Sequence, residues 1–301
     1  MLPLVVLSSF QGAQTGAPAP APAAQSVTVP FTYQDRLVFL EARVKDSPRL
    51  FLLDTGANTT AIDAQTATEL ALAHGEPHEI EGATGKLTVD SARVPEIAVG
   101  ALAVHDLAVT VQDLSGSLHP EKRHLDGILG SDFLAGFVLQ LDFTNARLTL
   151  SQGALAADEA ALPFELDEGI PHFPAQLDDT PVQLRLDTGA SLFAARDVFV
   201  NVPTSLWEEL QRADPTLKIA GKLAGGGPGG QAELPVGRLS ALLVGPTSLA
   251  RPYVIVQPRV GYFARPDALG FVGNNFLEKF EQVTLDYPGR HLWLGPRDEG
   301  G

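Results

Sequence analysis

Two aspartates stand in the same tetrapeptide, Asp54-Thr55-Gly56-Ala57 and Asp187-Thr188-Gly189-Ala190, each preceded by a mostly apolar run, FLL and LRL. Each carboxylate is delivered from a buried strand onto a turn that Gly56 or Gly189 permits and the hydroxyl of Thr55 or Thr188 can brace. The end of a buried strand is a costly place for a lone carboxylate. If the two turns meet, Asp54 and Asp187 face each other, and two carboxyls about 3 Å apart share one proton rather than both ionising. Such a pair is an acid and a base in one site. The ionised member takes a proton from water as the water attacks a carbonyl carbon, and the protonated member hydrogen-bonds the carbonyl oxygen. General acid–base help of this kind is worth about 10²- to 10⁴-fold. Glycoside hydrolysis, the other chemistry open to two carboxyls, needs them about 5 Å or more apart, and two meeting turns predict a closer pair.

What positions these residues is an internal repeat. The segment VPFTYQDRLVFLEARVKDSPRLFLLDTGA (29–57) lies over LPFELDEGIPHFPAQLDDTPVQLRLDTGA (162–190) without a gap, at a spacing of 133 residues. Identities include Pro30/Pro163, Phe31/Phe164, Ala42/Ala175, Asp46/Asp179, Pro48/Pro181 and Leu53/Leu186. Further on, LDGILGSDFLAGF (125–137) lies over ALGFVGNNFLEKF (268–280), with Gly130 over Gly273 at a spacing of 143, so the second copy has gained ten residues in between. Each copy closes in a strand–turn–strand, LDFTNARLTL from Leu141 and LDYPGRHLWL from Leu285. The expected organisation is a signal-like segment and Ala/Pro tether over 1–25, a first lobe over 26–152 and a second over 153–301, with the linker SQGALAADEAA at 151–161 between them. Short strands dominate, and helices are expected at 64–73 and 203–213, the second opening on Pro-Thr-Ser.

Composition excludes other classes. The 301 residues carry 36 acidic and 21 basic side chains, a formal charge of −15, which repels nucleic-acid phosphates and anionic membrane surfaces. Nucleic acid is therefore not an expected partner. A chain of this length buries about three quarters of its unfolded surface without a covalent or metal staple. The absence of cysteine removes thiol catalysis, thiolate zinc sites and disulfides. The first ten residues, MLPLVVLSSF, are too short for a bilayer span of about 20 residues. They resemble the apolar core of a secretory signal without the basic residues that normally precede one. Residues 11–25 are Ala, Pro, Gly and Gln with no apolar periodicity, the composition of a disordered tether. Together these point to an extracytoplasmic location, periplasmic or secreted. No other stretch reaches 18 consecutive apolar residues, so no membrane span is expected.

An apolar strand into Asp-Thr-Gly-Ala, followed later by hydrophobic–hydrophobic–Gly (Ile128-Leu129-Gly130; Phe271-Val272-Gly273), resembles the retropepsin-like aspartic peptidases, in particular the bacterial aspartyl protease families, over residues 26–296. In the first copy LLDTGANTT, DGILGSDFL and LDF match the pattern closely. The second departs more, with LGFVGNNFL in place of DGILGSDFL. The resemblance implies an all-β fold of two pseudo-symmetric lobes in a pepsin-like bilobal arrangement, with a few short helices and a cleft between the lobes. It implies Asp54 and Asp187 as the catalytic pair, with Thr55, Gly56, Thr188 and Gly189 supporting the active-site turns. It also implies a peptide or protein substrate bound in extended conformation, and no metal or organic cofactor. With both halves of the site on one chain, a monomer is expected. The expected function is aspartic endopeptidase, and the alternative is a catalytically inactive peptide- or partner-binding module on the same fold.

Two departures from the pepsin type carry expectations. Ala57 and Ala190 stand where those enzymes have a hydroxyl that stabilises the charged carboxylate, and losing that bond raises the pair's pKa values. A pH optimum in the mildly acidic to near-neutral range follows. The flap hairpins that fold over substrate correspond to HEIEGATGKLTVD (78–90) and IAGKLAGGGPGGQAEL (219–234), whose glycines suit tight, mobile turns. Neither contains a tyrosine, so contact through the backbone is expected, with Gly85 and Gly227 as substrate-side positions. Other motifs read as structural. GGGPGG satisfies GxGxxG at Gly225, Gly227 and Gly230, but its proline and the lack of a following helix exclude a nucleotide loop. Pro77 breaks the helix that would align His74 with His78 as zinc ligands, and these, with His119 and His124, read as surface histidines. Asn58-Thr59-Thr60 is a formal glycosylation sequon inside the active-site turn and is discounted. Trp207 and Trp293 read as packing residues.

Overall fold

Two-residue turns between apolar runs make the antiparallel pairs. Asp35 (φ 52°) with Arg36 (φ 58°), and Lys45 (φ 49°) with Asp46 (φ 66°), are left-handed at both turn positions, as the hairpin turn that matches strand twist requires. In the second half, Glu168 (φ 52°) and Gly169 (φ 86°) form the turn at the position equivalent to Asp35-Arg36.

The computed structural model describes residues 25–73, 75–116, 123–192, 196–227 and 230–297. The signal-like segment and tether, apart from Gln25, lie outside the described residues, as do His74, His119 and Pro228. The first half contains β1 (Ser26–Pro30), β2 (Thr32–Gln34), β3 (Leu37–Val44), β4 (Ser47–Leu53), β5 (Ala61–Asp63), α1 (Ala64–Glu69), β6 (His78–Gly82), β7 (Gly85–Val99), β8 (Leu102–Gln112), β9 (Gly127–Leu129), α2 (Ser131–Leu134), β10 (Phe137–Asp142) and β11 (Arg147–Gln152). The second contains β12 (Leu162–Pro163), β13 (Glu165–Asp167), β14 (Ile170–Leu177), β15 (Thr180–Leu186), β16 (Phe199–Pro203), α3 (Thr204–Ala213), β17 (Gly221–Gly227), β18 (Gly230–Arg238), β19 (Ala241–Val244), β20 (Thr247–Ala250), β21 (Tyr253–Gln257), β22 (Gly270–Val272), α4 (Asn274–Leu277), β23 (Gln282–Asp286) and β24 (His291–Leu294). The protein is mostly β, as expected.

Three sheets result. One runs β2-β3-β4-β9-β5-β8-β7-β6, and another follows β17-β18-β21-β16-β22-β15-β14-β19-β20 with β13 on β14. In each, the strand leading into Asp-Thr-Gly lies parallel beside the strand leading into hydrophobic–hydrophobic–Gly. Leu53 of β4 is opposite Leu129 of β9, and Leu186 of β15 is opposite Val272 of β22. The third sheet, β1-β11-β10-β23-β24-β12, takes strands from both halves and joins them where Leu139 of β10 faces Leu285 of β23. The main apolar cluster runs through both halves, with Phe51, Leu53, Leu139, Leu186, Val200 and Leu285 all buried in it, and a smaller cluster lies in each half. Each such side chain stabilises the fold by about 1.5–3 kcal/mol relative to exposure.

The helices depart from expectation in their extents. Asp63 caps α1, its Oδ2 accepting from the amides of Gln65 (2.9 Å) and Thr66 (3.3 Å). This helix ends at Glu69 rather than running on to 73, because Ala71 turns left-handed (φ 46°) and Leu72 N closes back onto Ala67 O at 3.0 Å. At α3 the Thr204 hydroxyl donates to Gln257 O (2.8 Å) instead of capping the helix, while Trp207 and Leu210 face the core. The four-residue α2 and α4 are too short for apolar periodicity to reveal.

Candidate active site

Asp54 and Asp187 follow directly on β4 and β15, and each is fixed to its parallel neighbour. Asp54 N donates to Leu129 O and Asp187 N to Val272 O, both at 3.0 Å. Asp54 Oδ1 accepts from the amides of Gly56 (2.8 Å) and Ala57 (3.1 Å), and Ala190 N donates to the main-chain oxygen of Asp187 at 3.2 Å. The two carboxyls lie close enough for the charge of Asp54 to act directly on Asp187. Their closeness makes the turn glycines necessary. A Cβ on Gly56 would lie within 3 Å of all three carboxyl atoms of Asp187, and one on Gly189 within 3 Å of all three of Asp54.

Burial pushes the pKa of both aspartates up, and the charge of Asp54 pushes Asp187 well above the ordinary carboxyl value. The turn amides pull the other way by stabilising the charged form, but desolvation outweighs them. Both residues keep partial solvent access. They therefore lie deep in protein surroundings yet open to water on one side, as the floor of a cleft would.

The threonines lock the two turns together. Thr55 N donates to Thr188 Oγ1 (2.9 Å) and Thr188 N to Thr55 Oγ1 (3.1 Å). Each hydroxyl in turn donates across to the other half, Thr55 Oγ1 to Leu186 O (2.7 Å) and Thr188 Oγ1 to Leu53 O (2.9 Å). Every group in this four-bond ring is buried and satisfied. Thr188→Val strips partners from the Thr55 amide and the Leu53 carbonyl, and is expected to lower stability by about 2–4 kcal/mol, two buried groups at 1–2 each. Urea unfolding measures it, and a loss under about 0.5 kcal/mol, the bottom of the range for one hydrogen bond, contradicts the ring.

Behind the turns sits a layer that sequence reasoning missed. A Cβ on Gly130 would lie within 3 Å of the Thr59–Thr60 backbone, and one on Gly273 within 3 Å of Ala190 O, so both glycines let the strand end pass the segment after Asp-Thr-Gly. The next residue then supports that turn. Ser131 Oγ donates to Thr55 O (3.0 Å), and Asn274 Nδ2 donates to Thr188 O (2.7 Å). One residue further, the Asp132 carboxylate accepts from Thr60 N (2.9 Å), and Asn275 Oδ1 accepts from Leu192 N (2.9 Å). Asn274 thus stands to the second turn as Ser131 does to the first, while Asn275 takes its main-chain amide one position earlier in the repeat than Asp132 does, with an amide oxygen in place of a carboxylate. A polar residue after each hydrophobic–hydrophobic–Gly was the available signal. Asp126 has no such counterpart: it accepts from Leu50 N (2.9 Å) and Thr66 Oγ1 (2.9 Å), where the second half has Leu269.

The two expected hairpins form as β6–β7 and β17–β18, and their tips touch. Thr84 Oγ1 reaches the carbonyls of Gly227 (3.0 Å) and Gly230 (3.1 Å). Gly85 closes the first hairpin opposite Gly82, and a Cβ on Gly227 would lie 3.9 Å from Ala83 Cβ. Gly85 and Gly227 therefore sit in the paired tips. Among the histidines, His78 is exposed, but His124 is half-buried, with Nε2 3.0 Å from Asp63 Oδ2 at the α1 cap, so it is not a plain surface residue. Trp207 is in the core, and Trp293 Nε1 donates to Asp158 (2.8 Å).

Residues 40–133 match the aspartyl protease family model. The matched stretch runs from β3 into α2 and contains Asp54, the first hairpin and Gly130. Asp187 lies outside it. No curated protein matches the chain.

Proposed function

We propose that this chain is an aspartic endopeptidase in which Asp54 and Asp187, one from each of two pseudo-symmetric lobes spanning 26–152 and 153–301, share a proton and direct water onto a peptide carbonyl. The observation that carries the reading is the reciprocal placement of each Asp carboxyl against the opposite turn glycine, locked by the Thr55/Thr188 ring. Strand order supports the two-lobe reading. From β14, the order β14-β15-β22-β16-β21-β18-β17 parallels β3-β4-β9-β5-β8-β7-β6, with β13 standing to β14 as β2 to β3. A glycosidase reading asks for carboxyls about 5 Å or more apart, which the seating of each carboxyl against the opposite turn glycine disfavours.

In this reading an extended peptide lies between the dyad and the two hairpins. The ionised carboxylate removes a proton from water as its oxygen bonds to the carbonyl carbon, and the protonated carboxyl donates to the carbonyl oxygen. A neutral tetrahedral diol results. Collapse breaks the carbon–nitrogen bond, with one diol proton returned to the dyad and one proton passed to the departing amine, which restores a singly protonated pair. The two carboxyls exchange roles within the cycle, so the proton belongs to the pair. Both are on one chain, and the enzyme acts as a monomer.

Because both pKa values are raised and neither Ala57 nor Ala190 offers a hydroxyl, the singly protonated pair persists above the ordinary carboxyl range. The pH profile of kcat/KM is expected to peak between mildly acidic and near-neutral pH. Activity confined below about pH 4 contradicts this. The direct test is cleavage of an unbiased peptide library by the purified chain from about pH 3 to 8. Cuts at defined bonds support the reading, whereas a folded protein that cuts nothing at any pH turns it towards a peptide-binding module.

A further inference from the structure

The first-half hairpin β6–β7 is fastened to a second-half segment. A single 3₁₀ turn, Gly261–Ala264, runs so close to its tip that a Cβ on Gly261 would lie within 3 Å of both Gly82 O and Gly85 N, and Gly261 itself is left-handed (φ 51°). Only glycine fits such a position. Just past this turn, Arg265 spans the contact. Its Nε donates to Glu81 Oε2 at 2.6 Å with Nη2 2.6 Å from the same oxygen, and its Nη1 donates to Glu168 Oε1 at 3.0 Å.

On the other side, the Tyr262 ring lies 5.4 Å from the Arg265 guanidinium and 4.0 Å from that of Arg185. Arg185 is buried on β15, paired with Asp167, and lies two residues before Asp187. An unbroken series of contacts, Glu81–Arg265–Tyr262–Arg185, therefore runs from the hairpin to the strand that delivers Asp187.

We propose that Arg265 is a positioning residue, which sets the height of the β6–β7 hairpin above the Asp187 strand and thereby the space left for a substrate backbone. The inference rests on the peptidase reading above. Arginine suits the task because its planar fork serves two carboxylates while its face lies on an aromatic ring, which a lysine ammonium cannot do in the same way. The Arg265 and Glu81 side chains are 37% and 24% exposed, so salt weakens the tie and loosens the hairpin.

The test is hydrogen exchange of the hairpin amides, residues 79–88, beside peptide kinetics, in the wild type, Arg265→Gln, Arg265→Lys and Glu81→Gln. In Arg265→Gln the hairpin amides are expected to exchange about three- to fivefold faster, a change on the scale of a partly exposed ion pair. Amides of β3, β4, β14 and β15 stay unchanged. KM rises by a similar factor with kcat nearly constant, as a loss of uniform binding does. Arg265→Lys falls between, and Glu81→Gln loosens the hairpin as Arg265→Gln does. Unchanged hairpin exchange in Arg265→Gln, or in Glu81→Gln, overturns the proposal. A hairpin that loosens as expected in a protein that cleaves no peptide supports the hold of Arg265 and overturns the peptidase reading instead.

Discussion

Asp54→Asn and Asp187→Asn are each expected to lower kcat/KM for peptide cleavage by about 10³-fold or more, within the range for losing a general acid–base group. The substitution is nearly isosteric. An asparagine at 187 can turn its NH₂ towards Asp54, so the fold survives while the shared proton does not. Stability reports the same physics with the opposite sign. Asp187 is raised well above its ordinary value of 3.8 by burial first and the charge of Asp54 second. Between the unfolded and folded pKa values the native state therefore binds more protons than the unfolded chain, and wild-type stability falls as pH rises through that window. Removing the carboxyl removes this cost. Asp187→Asn should be more stable than the wild type at neutral pH, with the advantage shrinking as pH falls towards 3.8. Urea midpoints at acidic and neutral pH measure it. A variant that still cleaves, or one whose stability relative to wild type worsens as pH rises, contradicts the shared-proton account.

A methyl group at either turn glycine is expected to have the next largest effect. In Gly189→Ala the new Cβ falls within 3 Å of every carboxyl atom of Asp54, and that carboxyl cannot retreat without leaving the amides of Gly56 and Ala57. The turns must separate, pulling on the buried threonine ring. Misplacement by about 1 Å costs on the order of 10²-fold in rate, and overpacking costs about 1–3 kcal/mol in stability. Gly56→Ala should act in the same way through Asp187. Gly136→Ala is the control, since a Cβ there meets nothing within 4 Å. If Gly189→Ala has the activity and stability of Gly136→Ala, the two carboxyls do not face each other as described.

The chemistry-bearing residues were legible because they are repeated: two Asp-Thr-Gly-Ala turns at ungapped equivalent positions identify each other without any structure. The hairpins were legible from glycine at their tips, and α3 from its Pro-Thr-Ser start. What was not legible depends on tertiary contact. Ser131 and Asn274 differ in type, and their common role appears only when each is seen to donate to a threonine carbonyl. Asp132 and Asn275 look like a loss of pattern, although an amide oxygen accepts the same kind of amide hydrogen that a carboxylate does. Arg265 and Glu81 are 184 residues apart, and nothing local announces that they meet. The early stop of α1 turns on one left-handed alanine, Ala71, a conformation no composition rule assigns to that residue. The third sheet, too, pairs β10 with β23 across the two halves, which a reading of separate repeats does not anticipate.

The central claim, that one chain holds one site made by both aspartates, is tested most directly by calorimetric titration with a peptide whose scissile amide is replaced by a statine-type hydroxyl. The account predicts one inhibitor bound per chain, with affinity lost by about 10²-fold or more in both Asp54→Asn and Asp187→Asn, as expected for a transition-state mimic. Undiminished binding by either variant, or a stoichiometry of one inhibitor per two chains, would contradict it.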